Sequence, residues 1–388
     1  MTILFPTPVV YDGDDARFLQ RDGARLLPAL AARGERGIKV VLAPSADGPR
    51  PAAPGLRAGT SDEWRDPAFW SSFAADGALC YFGFSASRFL PVVRAMRTAG
   101  LRLALKLDSS FGLNRFPNHA AVWFRKCYWV ARERHPPAAA LAKAFLDMAK
   151  WIRGPDVRTM LPYLEHFDSI TAEAPLARDN TRDWLTRRRR PDLAARVEWL
   201  PHPVPDDFSF DPARDAKENR VLAVAANWSN PRKGGTILAR ALDRFLAARP
   251  DWRATVVGAN SNLVATAVAR AHDRTEVRPL LASADLLPLY LSSKIFVTAS
   301  GSESGPIVAF EALACGCSVV FPPELLQLSW IADAGLGAMS RARTPSALAA
   351  ALELAAASIT SPAVPLPPLY ASDSLKRILD TLSRHQYA

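Results

Sequence analysis

Glu303 and Glu311 are separated by seven uncharged residues inside the stretch "SESGPIVAFEALACGCSVV". The surroundings are small and apolar, and a carboxylate placed there needs hydrogen-bond donors. The run before it, "KIFVTAS", reads as a buried strand, and "GSESG" as the turn that follows. Pro306 suits the first position of a helix, where its missing N–H is not needed, and Gly316 suits the helix end. Such a helix, from Pro306 to about Cys315, sets Glu303 over its N-terminus and Glu311 about 7–8 Å further along the axis. Between them lie the amides of Gly305, Ile307 and Val308, at the positive end of the helix dipole. Amides so placed suit phosphate. Carboxylates suit sugar hydroxyls, which donate charge-assisted hydrogen bonds to them. A ligand with hydroxyls, then a pyrophosphate, then hydroxyls again is a nucleotide sugar.

Three further stretches join this one. "NPRKGGTILARAL" carries Arg232 and Lys233 into a glycine turn before a helix, "VEWLPHPVPDDFSF" is a proline-rich connector, and "LRLALKLD" is a strand ending in Asp108. With the E-x7-E pattern, they resemble the family 4 glycosyltransferases, which have the GT-B fold of two Rossmann-like domains facing across a cleft. The resemblance covers residues from about Arg196 to Val320 well and the N-terminal half more weakly. It implies that Glu303 holds the hydroxyls of the donor sugar, Glu311 the ribose, and the amides of Gly305, Ile307 and Val308 the pyrophosphate or sugar. Lys233, with Arg232, would neutralise the leaving diphosphate, where negative charge grows as the glycosidic bond breaks. The family retains anomeric configuration by same-face attack, a phosphate oxygen taking the acceptor's proton, with no protein nucleophile, metal or cofactor. Asp108, at a strand end, would orient or deprotonate the acceptor hydroxyl or else cap a helix, and Gly13 would form a tight donor-side loop.

The chain departs from the family pattern at Trp228, which stands five residues before Lys233 where an arginine is common, so Arg232 must substitute. It departs also at Pro306, in place of a glycine, and at Leu107, in place of a histidine. Two rival readings follow: an epimerase or hydrolase of the same fold, which would need acid–base residues, and a non-catalytic nucleotide-sugar-binding relative.

These residues need a scaffold. Strand-like and helix-like runs alternate in both halves, which predicts parallel, doubly wound α/β sheets. The expected layout is an acceptor-binding domain over 1–203, a donor-binding domain over 204–370, and a last helix over 371–388 crossing back to the first. Ser372 reads as the cap of that helix. A helical, aromatic and basic insertion over about 118–154 is expected to belong to the first domain.

Lysine and arginine exceed aspartate and glutamate by 48 − 38 = 10. That balance favours anionic partners. "WFRKCYWVARER" and "TRRRR" suit an anionic membrane surface carrying a lipid-linked acceptor, or else a solvated helix face. Nucleic acid is disfavoured, because no aromatic–basic platform repeats on strands. The four cysteines form no C-x-x-C pair, and with no secretion signal or long apolar run they predict reduced thiols in a cytoplasmic protein at the inner face of the membrane. "DGDD", Asp12 to Asp15, reads as a turn and helix cap, and Lys106 as an exposed residue.

Overall fold

The computed structural model describes residues 1–19, 22–83, 85–107, 120–153, 156–303, 305–358 and 369–383. The chain divides into two compact units. The first is Met1–Asn114 with Gly154–Asp206 and Pro368–Ala388, and the second is Arg115–Arg153 with Asp207–Pro367.

The first unit is built on seven strands: β1 (Thr2–Val10), β2 (Arg36–Leu42), β3 (Leu56–Gly59), β4 (Gly77–Cys80), β5 (Arg102–Leu107), β6 (Ser169–Ala172) and β7 (Val197–Trp199). Every pairing is parallel, in the order β3-β2-β1-β4-β5-β6-β7. The chain winds outward from β1 to β3, then returns to lay β4 against the other side of β1. That reversal is a topological switch point, where strand ends splay and ligands bind. Gly13 lies in the loop after β1 with φ +96°, and a side chain there would meet nothing within 4 Å, so backbone conformation and not packing asks for glycine. Asp15 accepts from the Tyr11 hydroxyl at 2.5 Å and from the amides of Ala52 and Ala53 at 3.2 and 2.8 Å. "DGDD" therefore opens a short helix and ties down a loop.

Lys106, expected to be exposed, is 1% exposed and donates to the Leu200 carbonyl. The reason is the parallel sheet: helices cover both faces, so alternate positions of a central strand are both buried. The last helix, Ala371–Ser383, lies on this unit, with Leu375, Ile378, Leu379 and Leu382 among Ile3, Phe5, Leu79 and Ala104. Its cap is not Ser372, which lies inside the helix; Asp206 accepts from both the amide and the hydroxyl of Ser372.

The second unit has β8 (Glu218–Asn227), β9 (Arg253–Ala259), β10 (Thr275–Arg278), β11 (Ser293–Val297), β12 (Ser318–Phe321) and β13 (Gly337–Met339), again all parallel, in the order β10-β9-β8-β11-β12-β13. Its switch point lies between β8 and β11. One core of Val221, Leu238, Leu242, Val256, Ile295, Val297 and Leu352 holds the sheet to its helices. The helices Ala120–Ala131 and Pro137–Arg153 belong to this unit. The departure from the sequence expectation has a physical cause. Arg125 pairs with Glu324 at 2.8 Å, Trp129 packs on Gly301, and Glu133 pairs with Arg232, and no local pattern in the sequence announces these partners.

Candidate functional site

The switch point brings the loop after β8, with Arg232 and Lys233, beside the loop after β11, with Glu303. Seventy residues apart in sequence, Lys233 Nζ and Glu303 Oε1 lie 2.5 Å apart, and Arg232 Nη1 lies 3.1 Å from Glu303 Oε2. Ser300 Oγ donates to the same Oε1 at 2.7 Å. The backbone is stitched as well. The Gly301 amide donates to the Arg232 carbonyl at 2.7 Å, and Arg343 donates from Nε to Ala299 O at 2.7 Å and from Nη2 to Arg232 O at 3.0 Å. Gly234 closes the first loop at φ +72°, where a side chain would lie 2.5 Å from Ala299 O, so only glycine lets the two loops approach this closely.

Glu303 is 17% exposed at its side chain. Burial alone would raise its pKa, but Lys233 and then Arg232 outweigh burial and hold it below the usual carboxylate value. Its backbone carbonyl accepts from Lys126 Nζ at 2.7 Å and from Gln327 Nε2 at 2.9 Å. Arg343 stacks on Trp129 at 3.9 Å, and burial lowers its pKa to about 10.

The helix after Glu303 runs Ile307–Ala314, with Pro306 as its N-cap and not its first residue. The amides of Ala309 and Phe310 both turn back to the Pro306 carbonyl. Those of Gly305, Ile307 and Val308 have no partner within the helix, as at any helix start. These three residues and Glu303 are half-buried, while Pro306 and Ala309–Ala314 are buried. The residues that sequence reading assigned to a ligand are thus the reachable ones at this end. Glu311 is the exception: it is 1% exposed, and its Oε2 accepts from the Tyr290 hydroxyl at 3.1 Å. Burial, and then the Glu311 charge, push the Tyr290 hydroxyl well above its usual pKa.

Trp228 faces away from this cluster. It is 5% exposed and donates from its indole N–H to Val257 O at 3.0 Å. Asp108 lies outside the described residues, and Gly13 lies in the first unit. Sequence reading missed Glu133, Lys126, Gln327 and Arg343 as site residues; the first two lie in "WFRKCYWVARER", which reads as a membrane-facing or solvated segment, and the other two in no motif. The four cysteines are buried and free, consistent with reduced thiols.

Electrostatically the loops gather Lys126, Arg232, Lys233 and Arg343 around Glu133 and Glu303. A cluster with excess positive charge beside a helix N-terminus can take up an anion, and its carboxylate can accept from neighbouring hydroxyls.

Residues 218–357 match the family model described as glycosyl transferases group 1. No curated protein matches the chain in sequence. Among solved structures, WaaG, a glycosyltransferase involved in lipopolysaccharide biosynthesis, is 15% identical with a TM-score of 0.52, over 99% of this chain and 96% of its own. The lipopolysaccharide outer core galactosyltransferase WaaB is 12% identical with a TM-score of 0.55, over 98% and 99%. A Listeria monocytogenes protein described as a UDP-N-acetylglucosamine 2-epimerase is 13% identical with a TM-score of 0.57, over 100% and 96%. At these identities the likeness is one of fold.

Proposed function

We infer that this chain, whose residues 218–357 match the family model described as glycosyl transferases group 1 and whose fold is GT-B, is a glycosyltransferase that moves a hexose from a nucleotide-diphosphate sugar to a glycan or lipid-linked acceptor, retaining anomeric configuration and using no metal ion. The observation that carries the reading is the meeting of Glu303 with Lys233 and Arg232 beside the helix start at Ile307. In this scheme Glu303 accepts from the sugar's hydroxyls. The bond between sugar C1 and the diphosphate oxygen breaks, and its electron pair leaves with the diphosphate. Lys233 and Arg232 offset that charge, with the amides of Gly305, Ile307 and Val308 along the phosphates. The acceptor oxygen bonds to C1 on the same face, and its proton passes to the departing phosphate oxygen. Glu311 is assigned the ribose, with the Tyr290 hydroxyl fixing its carboxylate. The acceptor binds the first unit, with Asp108 as the candidate to orient its hydroxyl and Gly13 as a donor-side loop.

Given a panel of nucleotide sugars and glycan acceptors, the protein is expected to release nucleotide diphosphate only when donor and acceptor are both present. Release without acceptor would point to a hydrolase or hydrolysing epimerase. Binding without release over all acceptors would point to a non-catalytic relative. Glu311→Ala is expected to weaken nucleotide-diphosphate binding by about 10-fold or more, the worth of a charged hydrogen bond. An unchanged affinity overturns the ribose assignment.

The acceptor's setting is proposed to be an anionic membrane surface on the cytoplasmic side. No helix among the described residues is long and apolar enough to cross a membrane. The helices Ala120–Ala131 and Pro137–Arg153 leave Val130, Leu141, Phe145 and Leu146 exposed, the last two at 61% and 62%. Phe124, Arg125, Tyr128, Pro137, Ala138 and Leu141 line a cavity of about 460 Å³ between them. Apolar side chains set among lysines and arginines are the composition of an interfacial segment. The protein is expected to sediment with vesicles containing phosphatidylglycerol and not with neutral ones, and Phe145→Ser with Leu146→Ser should abolish this. Equal sedimentation of wild type and double variant would remove these helices from the proposal.

A further inference from the structure

We propose that Glu133, which lies outside the sheet and its crossover helices, is the positioning residue that turns the Arg232 guanidinium toward the donor's diphosphate. The proposal rests on the reading of Arg232 as a diphosphate ligand.

Arg232 and Lys233 are adjacent on the short turn Pro231–Lys233, which is a 3₁₀ helix. Three residues per turn set neighbouring side chains about 120° apart. Two such cations do not converge on one ligand unless something bends one of them round. Lys233 reaches Glu303 directly. Arg232 is held on two edges instead. Its Nε donates to Glu133 Oε1, and its Nη1 donates to Ser302 O at 2.6 Å and to Glu303 Oε2 at 3.1 Å. Among the described residues Nη2 has no acceptor, so two of the five N–H groups of the guanidinium, both on Nη2, remain for a ligand.

Glu133 is itself fixed. Asn230 Nδ2 donates to Glu133 Oε1 at 2.9 Å, while Asn230 Oδ1 accepts from the Arg232 amide at 2.9 Å. One side chain thus ties the carboxylate to the loop whose arginine it holds. Burial would raise the pKa of Glu133, but the bonds from Asn230 and Arg232 hold it below the usual value, so it is ionised at neutral pH.

The segment that delivers Glu133 is docked in a single register. Arg125, Trp129 and Glu133 recur every four residues, one face of a helical path. Arg125 meets Glu324, which is 2% exposed. Trp129 stacks on Arg343 and fills the place of a side chain at Gly301, where its Cδ1 would be 2.4 Å from an added Cβ. A cation, an aromatic ring and an anion thus face an acid, a glycine shelf and a cation in matching order.

The test is calorimetric titration of nucleotide diphosphate into wild type, Glu133→Ala, Glu133→Gln, Arg232→Ala and the Glu133→Ala/Arg232→Ala pair. Glu133→Ala is expected to weaken binding about 10-fold, and Glu133→Gln less, because its amide oxygen still accepts from Nε. The double variant should bind no worse than Arg232→Ala alone, since Glu133 acts only through Arg232. Tighter binding by Glu133→Ala would show that the carboxylate repels the diphosphate, and an undiminished effect in the Arg232→Ala background would show a merely structural role; either overturns the proposal. If Arg232→Ala leaves affinity intact while Lys233→Ala lowers it, the assignment of Arg232 fails and the proposal with it. If neither changes affinity, the reading of the whole site fails. Should Glu133→Ala not fold, Glu133→Gln carries the comparison.

Discussion

Lys233→Ala is expected to lower kcat by about 10²–10³-fold, the usual cost of removing one preorganised charge from a developing anion. Two effects combine. The departing diphosphate loses a cation whose Nζ now lies 2.5 Å from Glu303 Oε1. Glu303 loses the larger of the two charges that hold its carboxyl below the usual value against burial, so its pKa rises. The sign follows: Glu303 is ionised above its pKa and protonated below it, and the acid limb of the pH–rate profile must move to higher pH in the variant. Initial rates of nucleotide-diphosphate release between pH 4 and 8 read both quantities. A variant with wild-type kcat and an unmoved acid limb would remove Lys233 from the chemistry. Arg232→Ala should cost less in kcat, because Lys233 still faces the same oxygens.

Lys217→Met is expected to destabilise the second unit by about 3 kcal/mol or more, with little direct effect on ligand contacts. Lys217 Nζ donates to the carbonyls of Tyr290, Ser293 and Cys315 at 2.9, 2.9 and 2.6 Å, and lies 4.8 Å from the centre of the Phe210 ring. These carbonyls close the helices Ser283–Ser292 and Ile307–Ala314, where the dipoles are negative. Methionine keeps the apolar stem but leaves three oxygens without their charged donor, each costing about 1–3 kcal/mol. For a unit of this size about 3 kcal/mol corresponds to a midpoint about 6–12 °C lower, measurable by thermal unfolding followed by circular dichroism. A shift under 2 °C would mean that water serves these carbonyls equally well. The helix Ile307–Ala314 carries Glu311, so loss of this anchor is also expected to be felt at the proposed site.

The loops after β8 and β11 were legible because each follows a strongly apolar strand, and the turn chemistry of "NPRKGG" and "GSESGP" is local. The sheet order then explains why they meet. Glu133 and Arg343 were not legible as site residues, because their partners lie far away along the chain. Lys217 lies in "DAKENR", which reads as solvated surface; its cage is made of carbonyls from other elements, and carbonyls leave no trace in sequence. Strands β3, β7 and β13 have four, three and three residues, too short to show a period. Pro306 was placed one residue too far inside its helix, since an N-cap and a first helical position differ only in ψ. The helical segment, expected in the first domain, has charges and a tryptophan whose partners lie in the second.

The division of the chain has a consequence for its synthesis. The second unit draws on Arg115–Arg153 and the first on Ala371–Ser383. At roughly 5–20 residues per second, the helices ending at Arg153 emerge roughly 10–40 s before β13, the last strand of the sheet they pack on. Through that interval Trp129 has no glycine shelf and Arg125 no acid. The first unit, begun earliest, still waits for the final helix to cover Ile3, Phe5 and Leu79. The unit started first is therefore the last to be completed, and a chain truncated before residue 371 leaves it unfinished.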